Sequence, residues 1–262
     1  MINIHKAEPN TPPTEPKPAA TVMLIRPAKA GLEVLMILRN KNANFGGAWV
    51  FPGGKVETYD NQIVSQNFSA GITDSMASEI MGLSSGGLNY WVACVRECFE
   101  ECGILMAYRK SGELFGRASY REQEVLNRYR NDLNAGNSVL LDLCRQLNVK
   151  LAVDRMAYVS HWITPISEAK RYSTRFFLAV APRYQQAFHD GSESVNSIWI
   201  RPEEALQKAL KEDFPLLMPT KKNLESIVGY RDIEELLYVK AAKQKKVETI
   251  QPELKYKNSK LV

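Results

Sequence analysis

Short β-rich runs alternate with helical segments along most of this chain, and this alternation is the feature that most limits its fold. Apolar runs of strand length occur at residues 21–25 and 33–39, and three more lie in the second half. Segments with helical spacing of apolar residues lie at about 119–148, 203–211 and 220–245. Such interleaving without an internal repeat predicts one domain of the α/β (α+β) class.

The two ends of the chain differ in composition from its middle. Residues 8–18 contain five prolines, which block helical and sheet hydrogen bonds, so residues 1–20 are predicted to form a flexible leader. Residues 240–262 carry seven lysines against two glutamates, a composition typical of a solvated tail. We therefore expect a single folded domain over residues 21–239.

Charge and hydropathy argue against nucleic-acid and membrane partners. The formal net charge is +5 at pH 7, and the 240–262 segment alone supplies a surplus of that size. The rest of the chain is neutral and offers no basic groove, so we expect no nucleic-acid partner. No apolar run approaches the roughly 18 residues needed to cross a bilayer. The first residues lack the order of a secretory signal, which predicts a cytoplasmic protein with four reduced cysteines.

One predicted helix carries a cluster of acidic residues. Apolar residues recur at helical spacing over residues 88–101, and Gly103 follows as a stop. Glu97 precedes Glu100 by three residues and Glu101 by four, so the three carboxylates share one face of this helix. A solvated acidic patch is one interpretation. The other is a site for Mg²⁺ or Mn²⁺, which would offset the repulsion and bring a phosphate-containing substrate as a further ligand.

The segments upstream of this helix favour the metal site. Residues 49–51 form an apolar run that leads into Pro52, Gly53 and Gly54, a combination typical of a tight turn with accessible backbone. Residues 61–87 are polar and rich in small side chains, without a clear period. They predict a long loop or a loosely helical insertion.

The sequence from Gly54 to Ile104 resembles the Nudix box, G-x5-E-x7-R-E-U-x-E-E-x-G-U, where U is a bulky apolar residue. The matching positions are Gly54, Arg96, Glu97, Glu100, Glu101, Gly103 and Ile104. Asp60 stands where the first glutamate belongs, and 35 residues instead of seven separate it from Arg96. The box is therefore interrupted by an insertion at about residues 61–87.

A box interrupted in this way is similar to that of the Nudix branch that includes the mammalian peroxisomal acyl-coenzyme A diphosphatase. The segments FPGGKVE, SHWITP and RYSTRFFLA extend this similarity over residues 21–224. The resemblance implies the Nudix fold, a mixed sheet sandwiched between helices. It also implies metal-dependent cleavage of a phosphoanhydride in a nucleoside diphosphate linked to another group, with coenzyme A or acyl-coenzyme A as first candidate. Ala43 replaces the arginine of a separate coenzyme A signature.

The resemblance assigns roles to the residues of the box. Glu97 and Glu101 would be the principal metal ligands, and Glu100 would be a further ligand, direct or through water. The carbonyl of Gly53 would also face the metal. Arg96 would orient a carboxylate and would not touch the substrate.

Residues outside the box are candidates for the remaining roles. Glu193 is the preferred candidate for the general base, ahead of Asp190, which lies in a turn-forming HDGS segment. Arg39 and Arg175 are candidates to clamp substrate phosphates, with ordinary surface arginines as the alternative. The segment around His161 and Trp162 predicts core side chains more strongly than catalytic or base-stacking ones.

Two functions from other classes stay open on the sequence alone. A nucleotide-sensing module would keep the fold and lose catalysis, which Asp60 and the interruption would permit. A hydrolase of capped RNA or another dinucleotide would need a basic surface, and the lysine-rich tail is the only such segment. The 61–87 insertion would either cover the site or make an oligomer contact, for example in a homodimer.

Overall fold

The structure is a computed structural model that describes residues 2–4, 6–8, 11–211, 214–253, 256–257 and 260–261. Its strands are β1 (Lys17–Ala28), β2 (Gly31–Arg39), β3 (Trp49–Val50), β4 (Gly53–Lys55), β5 (Ala107–Arg109), β6 (Val149–Leu151), β7 (Met156–Ile163), β8 (Tyr172–Val180), β9 (Ser194–Ile200), β10 (Thr249–Ile250), β11 (Tyr256–Lys257) and β12 (Lys260–Leu261). Its α-helices are α1 (Asn61–Ser65), α2 (Asp74–Met81), α3 (Leu88–Cys102), α4 (Tyr120–Asn134), α5 (Leu140–Leu147), α6 (Pro202–Leu210), α7 (Met218–Glu225) and α8 (Ile233–Lys243).

One mixed sheet forms the centre of the fold. Its strand order is β10-β7-β8-β1-β2-β3, with β4 also paired to β1 and β9 to β2. The β1–β8 and β10–β7 pairs are parallel, and the other pairs are antiparallel. β1 pairs with β2 through residues 25–28 but with β4 through residues 19–21. The first two strands therefore separate, and the chain from β3 to β4 fills the gap between them.

Helices cover both faces of this sheet. On one face, Trp91 and Val95 of α3 share a buried cluster with Val22 and Phe177. On the other face, Met23 of β1 lies in a second buried cluster, to which α7 and α8 contribute. Successive residues of β1 and β8 point to opposite faces, so each strand serves both cores. The predicted mixed sheet between helices is confirmed.

Most of the predicted elements are confirmed, with one clear exception. The helix predicted at 88–101 is α3, which Gly103 ends in a left-handed conformation with φ of 73°. Residues 119–148 form α4 and α5, separated near Gly136 as predicted. The strand predicted at 104–108 is reduced to β5, which pairs with β6 in a small separate sheet. Residues 104–106 are not part of a strand and are buried in the same cluster as α3.

The 61–87 insertion contains the two short helices α1 and α2 joined by loop segments, which agrees with the second of the two predictions, a loosely helical insertion. Thr73 caps α2 by accepting a hydrogen bond from Met76, and Gly82 ends it in a left-handed conformation. The Asp74 carboxylate then accepts hydrogen bonds from the N–H groups of Gly86 (2.9 Å) and Leu88 (3.0 Å). The insertion is thereby tied to the first residue of α3.

Both predicted terminal boundaries are also corrected. β1 begins at Lys17, inside the predicted leader, because the small residues Ala19 and Ala20 are buried between β4 and β8. At the other end, α8 continues to Lys243 and β10 pairs with β7, so residues 240–250 belong to the fold. The end of the tail falls partly on residues outside the described ranges. No described helix is long and apolar enough to cross a membrane.

Candidate active site

Arg96 is the centre of a buried ion-pair network on α3. Its side chain, in a residue only 1% exposed, donates from Nε and Nη2 to the two oxygens of Asp60 at 2.7 and 3.2 Å. Nη1 donates to Glu97 Oε1 at 2.9 Å and to Glu100 Oε1 at 3.1 Å. Nη2 also donates to the Lys55 carbonyl at 2.7 Å. Arg96 thus orients carboxylates and ties α3 to β4.

Asp60 joins the two halves of the interrupted box. It is buried beside Arg96, and the 35 residues that separate them in sequence leave the bidentate pair intact. The Tyr59 ring lies 5.3 Å from the Arg96 guanidinium carbon, and burial raises the pKa of Tyr59 to about 12. Sequence reasoning treated Asp60 only as a departure from the pattern. Its distance of six residues from Gly54 was the available signal for its role.

Glu101, the last of the three glutamates, contacts Gly53 and Arg39. Its Oε2 accepts the Gly53 N–H at 2.8 Å. Its Oε1 is buried and accepts no hydrogen bond from the described residues, and Arg39 Nη1 lies 3.9 Å away. The structure therefore leaves one buried carboxylate oxygen without a close donor.

The three glutamates of α3 lie close together in a largely buried site, which disfavours their charged forms. Burial raises the pKa of Glu97 to about 7, although Arg96 opposes this shift. Burial also raises the pKa of Glu100 and, to a larger extent, that of Glu101. The negative charge of Glu193 adds to the shift at all three. The cluster is therefore a site that a cation would stabilise.

Glu193 reaches this cluster from the loop before β9. It is exposed and lines the same cavity as the three glutamates. Asp190 has a structural role in this loop. Its carboxylate accepts hydrogen bonds of 2.8–3.3 Å from the N–H groups of Ser192, Glu193 and Ser194. Asp190 therefore builds the turn, and Glu193 presents its side chain to the cavity.

The cavity has a volume of about 1140 Å³. Its lining includes the α3 glutamates and Arg39, and also apolar side chains such as Phe176 and Leu217. Arg39 lies at the end of β2, where its Nε also donates to the Asn44 carbonyl at 3.3 Å. The structure thus brings Arg39 beside the carboxylates of α3.

Arg175 does not reach the cavity, and its predicted phosphate contact is corrected. It points to the α3 face of β8, where its guanidinium carbon lies 4.3 Å from the centroid of the Tyr90 ring. Thr174 and Phe176, its neighbours in the strand, line the cavity. The strand alternation that places these two side chains in the cavity turns Arg175 away from it.

His161 is a core side chain, as predicted, whereas Trp162 is buried as predicted and also lines the cavity. The His161 ring pairs with Thr249 Oγ1 and Ser173 Oγ, both at 2.8 Å. Burial and the nearby Arg175 lower the pKa of His161 to about 4, which keeps the ring neutral. Trp162 is 6% exposed and belongs to the cluster on the opposite face.

The carboxylate oxygens of Glu97, Glu100 and Glu101 are suitable ligands for a hard divalent cation, although they are not arranged around a single point. Over the described residues, no three His, Cys, Asp or Glu side chains are arranged as a ready metal site. Arg96 already donates a hydrogen bond to one oxygen each of Glu97 and Glu100. The buried Oε1 of Glu101 and the oxygen-only character of the three side chains match the preferences of Mg²⁺ and Mn²⁺.

Gly54 leaves the space that Glu97 occupies, and its replacement provides a test of this geometry. A Cβ at Gly54 would lie 2.4 Å from Glu97 Oε1, and Gly54 does not have a positive φ. We expect Gly54→Ala to displace the Glu97 carboxylate and to lower kcat at least about 10-fold, since small misplacements at a reacting centre are costly. Steady-state kinetics and a thermal melt would show the loss in a folded protein. An unchanged kcat would contradict the close contact.

The chain matches a known family and several known proteins. The family described as the NUDT19 Nudix domain matches residues 73–225. The acyl-coenzyme A diphosphatase NUDT19 of Xenopus laevis is 23% identical over 234 residues, which cover 78% of this chain and 62% of that protein. Its Homo sapiens counterpart is 23% identical over 261 residues, with coverages of 88% and 67%. The chain thus spans about three-fifths to two-thirds of the length of these relatives.

A solved structure supports the fold independently. The NUDIX hydrolase from Alicyclobacillus acidocaldarius superimposes with a TM-score of 0.69 at 22% identity, covering 86% of this chain and 96% of that one. The family match covers more than half of the present chain and includes α3 with its three glutamates. The chain therefore belongs to the NUDT19 Nudix domain family of the Nudix hydrolases.

Proposed function

We propose that this protein is a metal-dependent pyrophosphohydrolase that cleaves the phosphoanhydride of a nucleoside diphosphate linked to another group. The observation that carries the proposal is the cluster formed by Glu97, Glu100 and Glu101. These side chains line the same cavity as Arg39 and Glu193, and its volume of about 1140 Å³ is large enough for a nucleotide. Family membership supports the same type of reaction.

The cluster has the composition needed to hold Mg²⁺ or Mn²⁺. Glu97 and Glu101 would be the principal ligands, with Glu100 as a further direct or water-mediated ligand and the Gly53 carbonyl beside them. Arg96 would fix the orientation of Glu97 and Glu100 from behind, through its hydrogen bonds of 2.9 and 3.1 Å. The cation would supply neutralisation of the negative charge that develops on the phosphate oxygens.

Arg39 and Glu193, which line the same cavity, would have separate roles in the reaction. Arg39 would donate to a phosphate oxygen, since its guanidinium lies beside the carboxylates and offers further N–H donors. Glu193 would accept the proton of the water that attacks phosphorus, because it faces the cluster from an exposed loop. One P–O bond forms to that water and the bridging P–O bond breaks, which yields two phosphate-containing products.

Coenzyme A and acyl-coenzyme A are the first substrates to test. The related proteins from Xenopus laevis and Homo sapiens are named acyl-coenzyme A diphosphatases. The cavity also combines charged side chains with apolar ones, including Phe176, Leu216 and Leu217. Such a lining suits a substrate that joins a nucleotide to a less polar group.

The nucleotide-sensing alternative has less support. It arose because Asp60 departs from the box and because the insertion separates Asp60 from Arg96. In the structure Asp60 occupies the fork of Arg96, and the insertion packs beside α3. Neither departure disrupts the carboxylate cluster.

Product release from a substrate panel tests the proposal. We expect coenzyme A to yield 3′,5′-ADP and phosphopantetheine in the presence of Mg²⁺ or Mn²⁺, with turnover abolished by chelator. The panel would also contain an acyl-coenzyme A, NADH, ADP-ribose, nucleoside triphosphates and a capped dinucleotide. Turnover of another panel member alone would replace the substrate and keep the reaction. Nucleotide binding without any turnover would contradict the proposed reaction and favour the sensing module.

A further inference from the structure

We infer that Arg130 is a positioning residue that holds the Glu193 loop, residues 188–193, against the carboxylates of α3. The inference rests on the proposed function, because it concerns the group proposed to accept the proton of the attacking water. Arg130 lies on α4, outside the Nudix box and more than 50 residues from Glu193 in sequence. Its contacts in the structure connect the two parts of the site.

Arg130 first binds the C-terminal end of α3. Its Nε donates to the Glu100 carbonyl and its Nη2 to the Glu101 carbonyl, both at 2.9 Å. The last carbonyls of a helix have no partner within the helix, and a cation placed there also interacts favourably with the helix dipole. Gly103 provides the space, since a Cβ there would lie 3.2 Å from Arg130 Nη1.

The same guanidinium then binds the start of the Glu193 loop. Arg130 Nη2 donates to the Phe188 carbonyl at 2.6 Å. The Phe188 N–H donates in turn to the Cys102 carbonyl at 2.9 Å, at the end of α3. Two hydrogen bonds therefore fix the loop to the helix that carries the glutamates, and one of them depends on Arg130.

Hydrogen bonds within the loop connect its start to Glu193. Asp190 accepts the Glu193 N–H at 2.9 Å, and the Asn40 N–H donates to the Glu193 carbonyl at 2.8 Å. The position of the Glu193 backbone is thus set by Asn40 on one side and by the 188–190 segment on the other. Without Arg130, the Phe188–Cys102 hydrogen bond remains, and upstream of the loop so do the hydrogen bonds of the Gln185 side chain to the backbone of Leu105 and Phe115.

A double-mutant experiment separates positioning from general support of the fold. The variants are Arg130→Met, Glu193→Gln and their combination, with Arg128→Met as matched control. Arg128 lies on the same helix, is exposed, and donates to Gln146 on α5. Kinetics would be measured on the panel substrate that the wild-type protein turns over.

We expect Arg130→Met to lower kcat about 10-fold with KM changed less than about 2-fold, since it moves a reacting group and leaves the rest of the cavity lining intact. In the Glu193→Gln background the same substitution should lower kcat less than about 2-fold, because the group that it positions is already absent. An equal loss in both backgrounds would overturn the inference and indicate general support of α3. A Glu193→Gln variant with wild-type kcat would overturn it as well, without affecting the proposed reaction.

Hydrogen exchange gives a readout that does not depend on turnover. Arg130→Met should speed amide exchange at residues 188–194 more than Arg128→Met does, while exchange in β1 and β8 stays the same. Unchanged exchange in the loop would overturn the inference even if no panel substrate were hydrolysed. Absence of wild-type turnover would by itself contradict only the proposed function.

Discussion

Glu101→Gln is expected to fold like the wild-type protein and to lose at least about 100-fold in kcat, because it removes a proposed metal ligand without removing volume. The glutamine oxygen still accepts the Gly53 N–H that Glu101 Oε2 accepts at 2.8 Å. What disappears is the negative charge of a group whose Oε1 is buried and accepts no hydrogen bond from the described residues. The loss should therefore fall on catalysis and cation binding.

Two measurements together test this prediction. Mn²⁺ titration by calorimetry should show weaker binding to Glu101→Gln than to wild type, and a thermal melt without metal should show little change. Glu124→Gln is the matched control, since Glu124 is exposed on α4, away from the cluster. Equal turnover in Glu101→Gln and Glu124→Gln would contradict the assignment of Glu101 as a ligand.

The catalytic helix could be predicted from sequence because its signals are local. The spacing of Glu97, Glu100 and Glu101 fixes their common face once the helix is recognised, and Gly103 marks its end. The strands β1, β2 and β8 were likewise evident as short apolar runs. Each of these inferences depends on residues that lie close together in the sequence.

The errors concern relations that only the tertiary structure sets. The sequence around Arg175 does not reveal which face of β8 meets the cavity, and a strand places neighbouring side chains on opposite faces. The role of Asp60 depends on a partner 36 positions away, and that of Arg130 on carbonyl groups of two other segments. Backbone carbonyls carry no sequence signal, so the contacts of Arg130 could not be anticipated.

Arg96→Met is expected to lower the free energy of unfolding by about 3–5 kcal/mol, because it leaves a buried carboxylate without its cation. Asp60 is 1% exposed and receives two hydrogen bonds from Arg96. The same substitution removes the donors to Glu97 and Glu100, so turnover should also be lost. Urea unfolding at fixed pH would measure the first effect, and a change below about 1 kcal/mol would contradict the buried ion pair.

A second substitution distinguishes the structural part of this network from its chemical part. Combining Arg96→Met with Asp60→Leu removes the bidentate pair of this network and leaves Glu97 and Glu100 without their cationic donor. Replacing a buried pair by apolar groups is often close to neutral for stability, so we expect the double variant to regain the part of the unfolding free energy that is lost at Asp60. Turnover should stay lost, because Glu97 and Glu100 still lack the donor that orients them. Recovery of turnover together with stability would show that Arg96 serves only the fold, and that the carboxylates need no orientation from it.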